Sequence, residues 1–428
     1  MKIIEYPNET EWSLLQERFE LDVTSLYDTV KQILDDVRLE GDRAVSRYSK
    51  QFDNVSIEDL KVSEEEIQEA ESLLTEDLKQ AIRTAQKNIE KFHASQCFKV
   101  QKVETTPGVT CWQKAVPIEK VGLYIPGGTA PLFSTVLMLA VPAYIAGCQE
   151  IILCSPPNKE GKIHPAILFA AQIAGVNQIF KVGGVQAIAS MAYGTETIPK
   201  VYKIFGPGNQ YVTAAKQLVS LKDVAIDMPA GPSEVEIIAD DKANPVFIAW
   251  DFLSQAEHGA DSQSILLTTS ERLANEVMLE VEKQVQLLPR KELTVKSLSN
   301  SRIILLKNTD EIILFTNQYA PEHLIINVEN PIDIAEKIVN AGSVFLGSYT
   351  PESAGDYASG TNHTLPTKGY AKMYSGVNLD SFIKKITFQE ITQDGLRTLG
   401  PVIEEMAANE QLDAHKNAVT VRLAMLNK

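Results

Sequence analysis

The sequence has few cysteines and few histidines, and its charge is unbalanced toward acid. It contains 4 Cys and 6 His among 428 residues, and 40 Lys and Arg against 56 Asp and Glu give a formal net charge of -16. Nucleic acids and anionic membranes require a basic surface, so neither is expected as the main partner. The acidic balance mildly favours a cationic small-molecule substrate.

Disulfides, a signal peptide and a membrane span are also not expected. The cysteines, at 97, 111, 148 and 154, form no C-x-x-C pair. A chain of this length can bury several hydrophobic cores and needs no disulfides for stability, so we expect free thiols. The first twelve residues lack the apolar core of a signal peptide. The most apolar run, 131–147, is too short to cross ~30 Å of hydrocarbon comfortably, which predicts a buried helix. A cytoplasmic protein is therefore expected.

Residues 23–96 carry the apolar periodicity of helices and no evident chemistry, which indicates a scaffold. Ser63 and Glu66 form a capping box for the second half of this region. A break is expected near Thr75, which is itself a good N-cap.

From about residue 118, short apolar strands each end in Gly or Pro and lead into a helix. The strands are VGLYI, IILC, IFKV and YKIF, and they precede PGGTAPL, SPPN, GGVQAIA and GPGNQYV. This rhythm predicts parallel β/α units, whose ligands bind beyond the carboxyl ends of the strands. The glycine turns either let backbone N–H groups approach the phosphates of a nucleotide or serve only as tight connections. The G-x-G-x-x-G fingerprint of dinucleotide binding is missing.

A second α/β stretch runs from about residue 235 to 347. Its expected strands are VEIIA, SILLTT, RIILL, LIINV and SVFLG, and its expected helices are 245–257, 270–288, 309–318 and 331–340. The segment from about residue 375 carries TFQEIT and a helix starting near Thr398. We predict that it forms a small appended domain.

Two clusters in the second stretch carry chemistry. In SQAEHGAD, Gln255 and His258 are three residues apart at the end of a helix, so both side chains can leave one face toward a metal. The alternative is that His258 is a structural residue at the helix C-terminus, where it interacts favourably with the helix dipole. In YAPEHL, Glu322 and His323 stand at the mouth of a strand, where they suit acid–base work or form a surface pair.

Two further clusters lie toward the end of the chain. PESAGDYASGTNHTLPT, 351–367, is expected to be a loop that holds Asp356 and His363. His415 follows Glu410 near the start of a helix, where a structural role is also open. Gln255, His258, Asp356 and His415 together offer O, N, O and N donors that suit Zn²⁺, but spacing alone does not show that they converge.

At these clusters the sequence closely resembles the histidinol dehydrogenase family. The resemblance runs from VRLEGDRAV and VGLYIPGGTAPLFSTVLM through FGPGNQYV, AGPSEV, SQAEH, YAPEHL and SAGDYASGTNHTLPT to HKNAV, in the correct order. Gly259, Val185 and Gln411 depart from the family pattern, and none of them is a proposed ligand. Gln411 stands beside Glu410, where it can alter substrate packing slightly.

The resemblance implies an NAD-dependent dehydrogenase that oxidises L-histidinol to L-histidine with two NAD⁺, through an aldehyde that is not released. It implies homodimers in which the C-terminal segment of one subunit helps complete the site of the other. The roles that it assigns are as follows: Gln255, His258, Asp356 and His415 as zinc ligands, which together with His323 also contact the substrate; Glu322 and His323 as the proton-transfer pair; Ser233, His363 and Glu410 as further histidinol contacts; and Tyr124, Gln186 and Asn209 near NAD.

The expected fold is α/β, with two parallel-sheet domains of incomplete Rossmann-like type and small N- and C-terminal segments. The expected boundaries are an N-terminal segment 1–22, a larger zinc and catalytic domain of 23–120 plus 235–372, an NAD-associated domain 121–234, and a C-terminal domain 373–428 that is exchanged between subunits. The incomplete Rossmann-like unit that the resemblance implies agrees with the missing glycine fingerprint.

Three other functions remain open at this stage. Cys148 or Cys111 can be the nucleophile of an aldehyde dehydrogenase, although a buried cysteine is more often a small hydrophobic residue. A zinc hydrolase can use Glu322 to activate water, in which case the glycine turns are plain connections. A binding protein without activity is the third. His93 and His164 lie outside every motif.

Overall fold

The structure is a computed structural model, and it describes residues 1–18, 23–127, 131–176, 178–228 and 231–426. The strands are β1 Lys2–Glu5, β2 Lys102–Thr106, β3 Val109–Pro117, β4 Lys120–Tyr124, β5 Glu150–Ser155, β6 Gln178–Lys181, β7 Lys203–Phe205, β8 Ala225–Ile226, β9 Glu234–Ala239, β10 Gln263–Thr268, β11 Arg302–Leu305, β12 His323–Asn327, β13 Ser343–Leu346 and β14 Ile383–Ile391.

The helices are α1 Trp12–Leu15, α2 Tyr27–Glu40, α3 Asp42–Phe52, α4 Glu64–Ser72, α5 Glu76–Ala94, α6 Phe133–Ala146, α7 Pro165–Ile173, α8 Gly184–Tyr193, α9 Gln210–Ser220, α10 Pro245–Ala256, α11 Glu271–Gln284, α12 Lys291–Leu298, α13 Thr309–Tyr319, α14 Pro331–Ala335, α15 Glu352–Tyr357, α16 Gln393–Asn409 and α17 Asp413–Leu426. The capping box of Ser63 and Glu66 is present, and Thr75 caps α5, so both predictions are confirmed. In the described ranges, no helix is both long and apolar enough to cross a bilayer.

The chain divides into two compact units. The first is Met1–Gln96 with Ile118–Phe382, and the second is Cys97–Pro117 with Ile383–Lys428. The first unit contains both parallel sheets. The predicted α/β fold with two parallel sheets is therefore confirmed, whereas the exchange of a C-terminal domain between subunits stays a prediction.

The five-stranded sheet of the first unit has the order β6-β5-β4-β7-β8, with every pairing parallel. The chain runs outward in both directions from β4, so the gap between the carboxyl ends of β4 and β7 is a topological switch point. The helix predicted within 131–147 is α6, which is almost wholly buried, as its lack of an interior charge requires.

The helices of residues 27–94 pack against the helices of the five-stranded sheet. The apolar face of α2, which includes Val30, Ile33 and Val37, shares a core with α8 and α9, and α5 shares another with α6. The expected boundaries attach these residues to the other, larger α/β domain. The difference arises because apolar periodicity shows that a helix face is buried but not which sheet buries it.

The six-stranded sheet has the order β1-β11-β10-β9-β12-β13, and all of its pairings are parallel. β9, β10 and β12 are fully buried, which agrees with their continuous apolar runs. Residues 2–5, expected to belong to a separate N-terminal segment, add the edge strand β1 to this sheet by pairing with β11.

The second unit contains the antiparallel sheet β14-β3-β2 and the packed helices α16 and α17. The expected helix start near Thr398 is wrong, since α16 begins at Gln393. The side chain of Thr392 accepts a hydrogen bond from the backbone N–H of Gly395, and this N-cap outweighs the low helix propensity of the glycines.

Candidate active site

A pocket of about 200 Å³ lies between the two parallel sheets of the first unit. Its walls come from the carboxyl ends of β7 and β8, from the amino ends of β9 and β12, and from the segment that follows β13. Its lining includes seven residues singled out in the sequence: Ser233, His258, Glu322, His323, Asp356, His363 and the turn residue Gly206. The pocket is therefore where the fold brings distant titratable side chains together.

Glu322 and His323 lie where α13 turns into β12. The turn needs a left-handed residue, supplied by Ala320 with φ of 57°, and Pro321 then prevents the helix from continuing. Only 5% of Glu322 and 4% of His323 is exposed. A surface pair is therefore ruled out, and both side chains act in a protein environment.

The imidazole of His323 is surrounded by carboxylates. Nδ1 lies 3.3 Å from the backbone oxygen of Glu234, 3.5 Å from Glu352 Oε1 and 3.6 Å from Glu322 Oε2. Nε2 lies 3.6 Å from Asp356 Oδ1 and has no hydrogen-bond partner among the described residues. Because a carbonyl oxygen can only accept, the Nδ1 contact keeps a proton on Nδ1, so Nε2 is the nitrogen that can exchange a proton.

Charge and burial shift every titratable group of this cluster. Burial alone lowers the pKa of His323, but the negative charges of Glu352 and Glu322 raise it well above its usual value. Burial raises the pKa of Glu322 to about 8, although the positive charge of the neighbouring His323 acts to lower it. Burial also raises the pKa of Asp356, but hydrogen bonding and charge from His323 outweigh it and leave that pKa lowered.

Glu352 is the member of this cluster that the sequence analysis missed. It was placed in a loop of 351–367, but residues 352–357 form the short helix α15, and Glu352 is 1% exposed. One helical turn therefore directs Glu352 and Asp356 to the same side, and their oxygens and a nitrogen of His323 all lie within 4.8 Å of one another. The i, i+4 spacing of the two carboxylates was the available signal, hidden by poor helix formers such as Gly355.

His363 is held on both ring nitrogens. Nδ1 lies 2.8 Å from the backbone oxygen of Asp356, and Nε2 lies 3.0 Å from Thr135 Oγ1. Burial is the main cause that lowers the pKa of His363, so a neutral ring is favoured. A substrate contact by Nε2 requires the Thr135 hydroxyl to reorient, while Ser233 lines the same pocket half-buried.

Gln255 and His258 differ sharply in exposure. α10 ends at Ala256, so His258 lies in the turn after the helix and not on its face, because its backbone N–H bonds to the carbonyl of Gln255 in a tighter turn. Gln255 is fully buried, and neither polar atom of its amide has a partner within the described ranges. His258 exposes its side chain toward the pocket, although the surrounding protein still lowers its pKa.

Glu410 and His415 belong to the second unit. Glu410 is the C-cap of α16 and His415 lies in the first turn of α17, and both are exposed. Six predicted site residues of the first unit line one pocket: Ser233, His258, Glu322, His323, Asp356 and His363. Gln255 is not among its lining residues, and the roles assigned to Glu410 and His415 stay predictions.

A larger cavity of about 1040 Å³ opens at the switch point of the five-stranded sheet. Its lining includes Tyr124, Gln186 and Asn209, the three residues that the family resemblance assigns to NAD. Gln186 is fully buried, with no partner found for its amide atoms in the described part of the chain. The Asn209 side chain caps α9, and Tyr124 accepts a hydrogen bond from the backbone N–H of Gly184.

Glycine turns form part of the wall of this cavity. Gly127 and Gly184 line it, and Gly184 has φ of 63°, a backbone conformation that favours glycine. The amino ends of α7 and α8 reach the cavity through His164 and Gly184, and Lys159 adds positive charge, whereas Lys162 is paired with Glu69. Such a wall suits a phosphate-bearing ligand.

Cysteine catalysis finds no support at either pocket. Cys148 is buried, and burial raises the pKa of its thiol to about 12, which disfavours the thiolate. Cys111 belongs to the second unit. All four cysteines are free, as expected.

The fold and the histidine–carboxylate pair beside a cavity at the switch point are those of an α/β dehydrogenase. The model of the histidinol dehydrogenase family matches residues 16–423. Histidinol dehydrogenase of Bacteroides thetaiotaomicron is 69% identical over 426 residues and covers 100% of both chains. That of Escherichia coli is 54% identical over 406 residues, 94% of this chain and 93% of that one.

A solved structure agrees with these sequence relatives. The crystal structure of histidinol dehydrogenase from Elizabethkingia anophelis matches with a TM-score of 0.99 and 55% identity, covering 100% of this chain and 99% of that one. The chain therefore belongs to the histidinol dehydrogenase family, and it is an enzyme. The resemblance seen in the sequence motifs is confirmed.

Proposed function

We propose that the chain oxidises L-histidinol to L-histidine through an enzyme-held aldehyde, with two NAD⁺ and one zinc, in the last two steps of histidine biosynthesis. The family membership supports the reaction. The observation that carries the chemistry is the buried imidazole of His323, whose Nε2 lacks a hydrogen-bond partner in the described part of the chain and lies beside Asp356, while Nδ1 lies beside Glu322.

The residues of the first unit fit a zinc ion. An unpaired buried amide is costly, so the orphaned oxygen and nitrogen of Gln255 indicate a missing partner. Gln255 would supply its amide oxygen, His258 a ring nitrogen and Asp356 a carboxylate oxygen; the last two are common zinc ligands, whereas an amide oxygen is an unusual one. His415 would be the fourth, supplied with Glu410 by the second subunit of a homodimer.

The proton transfers fall to His323 and Glu322. When bound, zinc would orient the imidazole and amino nitrogens of the substrate, and NAD⁺ would accept the hydride. His323 Nε2 would take the hydroxyl proton of histidinol as the adjacent carbon loses its hydride, which yields the aldehyde. Neutralisation of Asp356 by a bound cation would remove part of the charge that raises the pKa of His323, and so favour the neutral ring that this step needs.

The second oxidation needs an activated water. The Glu322 carboxylate would accept a proton from a water that attacks the aldehyde carbon, while protonated His323 returns its proton to the aldehyde oxygen and becomes neutral again. His323 would then take the hydroxyl proton of the hydrate as its carbon loses a hydride to the second NAD⁺. Ser233, His363 and Glu410 would select the substrate by hydrogen bonds and charge, which a purely apolar pocket could not do.

The large cavity is the proposed place of NAD, with Tyr124, Gln186 and Asn209 as contacts. Its position at the switch point and the helix amino ends in its wall support this assignment. A cytoplasmic location and the absence of nucleic acid and membrane partners stay predictions.

The test is the appearance of reduced nicotinamide when the protein is mixed with histidinol and NAD⁺, before and after chelation and zinc restoration. We expect two NADH per histidinol and a chelator-sensitive rate. Consumption of substrate without NADH would instead indicate the zinc hydrolase alternative. Glu322→Gln should slow oxidation of supplied histidinal more than oxidation of histidinol, and equal losses would refute the role given to Glu322.

A further inference from the structure

We infer that Arg18, in the N-terminal segment, is a positioning residue that sets the geometry of the Glu322–His323 pair. This inference rests on the proposed function, since it concerns the same proton-transfer pair. Arg18 does not line the pocket and is distant from it in sequence. It acts through two backbone segments that carry the pair.

The first segment is the start of β9. Arg18 forms a two-pronged ion pair with the carboxylate of Glu234, in which Nη2 lies 3.1 Å from Oε1 and Nε bonds to Oε2. The side chains are only 15% and 3% exposed. The hydroxyl of Tyr319 donates to the same carboxylate at 3.1 Å, so the side chain of Glu234 has little freedom.

The second segment is the turn from α13 to β12. Arg18 Nη2 donates to the backbone oxygen of Tyr319 at 2.7 Å and reaches that of Ala320 at 3.4 Å. The guanidinium also lies 3.8 Å from the centroid of the Tyr319 ring. These carbonyls end a helix and have no intrahelical donor, so Arg18 both satisfies them and fixes the left-handed turn two residues before Glu322.

The main chain of Glu234 passes this restraint directly to the catalytic side chains. Its N–H donates to Glu322 Oε2 at 2.9 Å, and its carbonyl oxygen lies 3.3 Å from His323 Nδ1. The Arg18 guanidinium therefore joins the turn that leads into Glu322 and His323 to the start of β9, whose main chain contacts both side chains. A shift between β9 and the turn would move the carboxylate of Glu322 and rotate the imidazole of His323 together.

A contribution to stability does not by itself explain a buried arginine paired with Glu234. A buried ion pair can often be replaced by apolar residues at little cost, because removing its charges from water is expensive. What an apolar residue cannot supply is the planar fork that bonds a carboxylate and two carbonyls at once. Geometry is thus the property that distinguishes Arg18 from a hydrophobic substitute.

The experiment compares Arg18→Met with Arg302→Met in the full-length protein. Arg302 also ties down the N-terminal segment, by donating to the backbone oxygens of Leu14 and Leu15, but it bonds neither Glu234 nor the turn. We expect Arg18→Met to lower kcat for histidinol by about 10- to 100-fold while KM stays within a few-fold, since misplacing reacting groups slows the chemical step. Arg302→Met should keep kcat while lowering the thermal midpoint.

Two milder variants cover the case in which Arg18→Met does not fold. Arg18→Lys keeps the charge but not the fork, and Glu234→Gln keeps the main chain that contacts the pair but weakens the fork. Both should lose kcat at unchanged KM, by less than Arg18→Met. Wild-type kcat in either folded variant, or an equal kcat loss in Arg302→Met, would overturn the inference. Failure of the wild-type protein to oxidise histidinol would overturn the proposed function instead.

Discussion

The two pockets of the first unit both lie at the carboxyl edge of the five-stranded sheet, but only the small pocket also lies at the amino ends of strands of the six-stranded sheet. The large cavity opens beyond the carboxyl ends of β4 and β7, whereas the small pocket takes Glu322 and His323 from the amino end of β12 and Ser233 from just before β9. The large cavity is shaped by glycine and proline turns and by helix amino ends. The small pocket is a concentration of carboxylates and imidazoles.

The comparison indicates that the two pockets rely on different backbone groups near the strand ends. At the amino end of β9, the backbone N–H of Glu234 bonds the Glu322 carboxylate. At the carboxyl ends, the chain turns directly into helices whose amino ends attract phosphates. If the proposed functions of the two pockets are right, we expect changes in one pocket to leave the other largely unaffected.

The largest expected effect is on the small pocket. His323→Asn removes the proposed base and should lower kcat by about 10²- to 10⁴-fold, the range of general base catalysis, while KM for NAD⁺ stays nearly unchanged. His164→Asn is the matched control, because His164 lines the large cavity and caps α7, and asparagine also caps helices. Steady-state kinetics of the two variants test this expectation. Similar kcat losses in both variants would mean that the two pockets cannot be perturbed separately.

The next effect concerns Gln255, the proposed zinc ligand whose buried amide has no hydrogen-bond partner among the described residues. Gln255→Leu should weaken zinc binding by at least about 10- to 100-fold, measured by chelator competition. The same change should leave the metal-free protein as stable as the wild type or more so, since it removes an unpaired buried amide worth about 1–3 kcal/mol. Unchanged zinc affinity would exclude Gln255 as a ligand.

Gln186→Leu is the counterpart in the large cavity. We expect KM for NAD⁺ to rise by about 10-fold, as for the loss of roughly 1.4 kcal/mol of hydrogen bonding, with zinc affinity as in the wild type. Zinc titration and NAD⁺ kinetics on one preparation separate the two glutamines. If zinc binding fell and NAD⁺ kinetics did not change, the assignment of the cavities would be reversed.

The smallest effect is on stability, and it concerns the sheets that carry the pockets. Glu236 in β9 is fully buried, and burial raises its pKa to about 8. The folded state then holds a proton that the unfolded state releases, so its contribution is complete below the unfolded pKa and is lost as pH rises through about 8.

Glu236→Gln should remove this dependence. The free energy of unfolding of the variant relative to the wild type should rise by about 1 kcal/mol between about pH 6 and about pH 7, measured by denaturant titration at each pH. A difference that is constant with pH would mean that Glu236 is ionised in the fold.

Much of the fold follows from local patterns. Nine of the eleven strands in the two parallel sheets and the caps at Ser63 and Thr75 agree with the sequence-based expectations, because apolar runs and cap chemistry act over a few residues; the short edge strands β1 and β8 were not expected. The helix α15 was missed because six residues with two poor helix formers give no periodic signal. Tertiary contacts stabilise it instead.

The candidate site was predictable only in part. Motifs identified Glu322, His323 and Asp356. They did not identify Glu352, nor the contacts that Glu234 and Arg18 make around these residues. Arg18 and Glu234 stand 216 residues apart, so only the strand order makes them neighbours. Such contacts leave no local pattern in one sequence.

The sequence by itself determined the elements, the family and the residue types of the chemistry, because these depend on neighbours along the chain. The tertiary structure alone decided that amino ends of one sheet face carboxyl ends of the other, and that carboxylates surround His323. Protonation and orientation of that imidazole depend on charges and hydrogen bonds acting through space. The chemical character of the site is therefore a property of the fold.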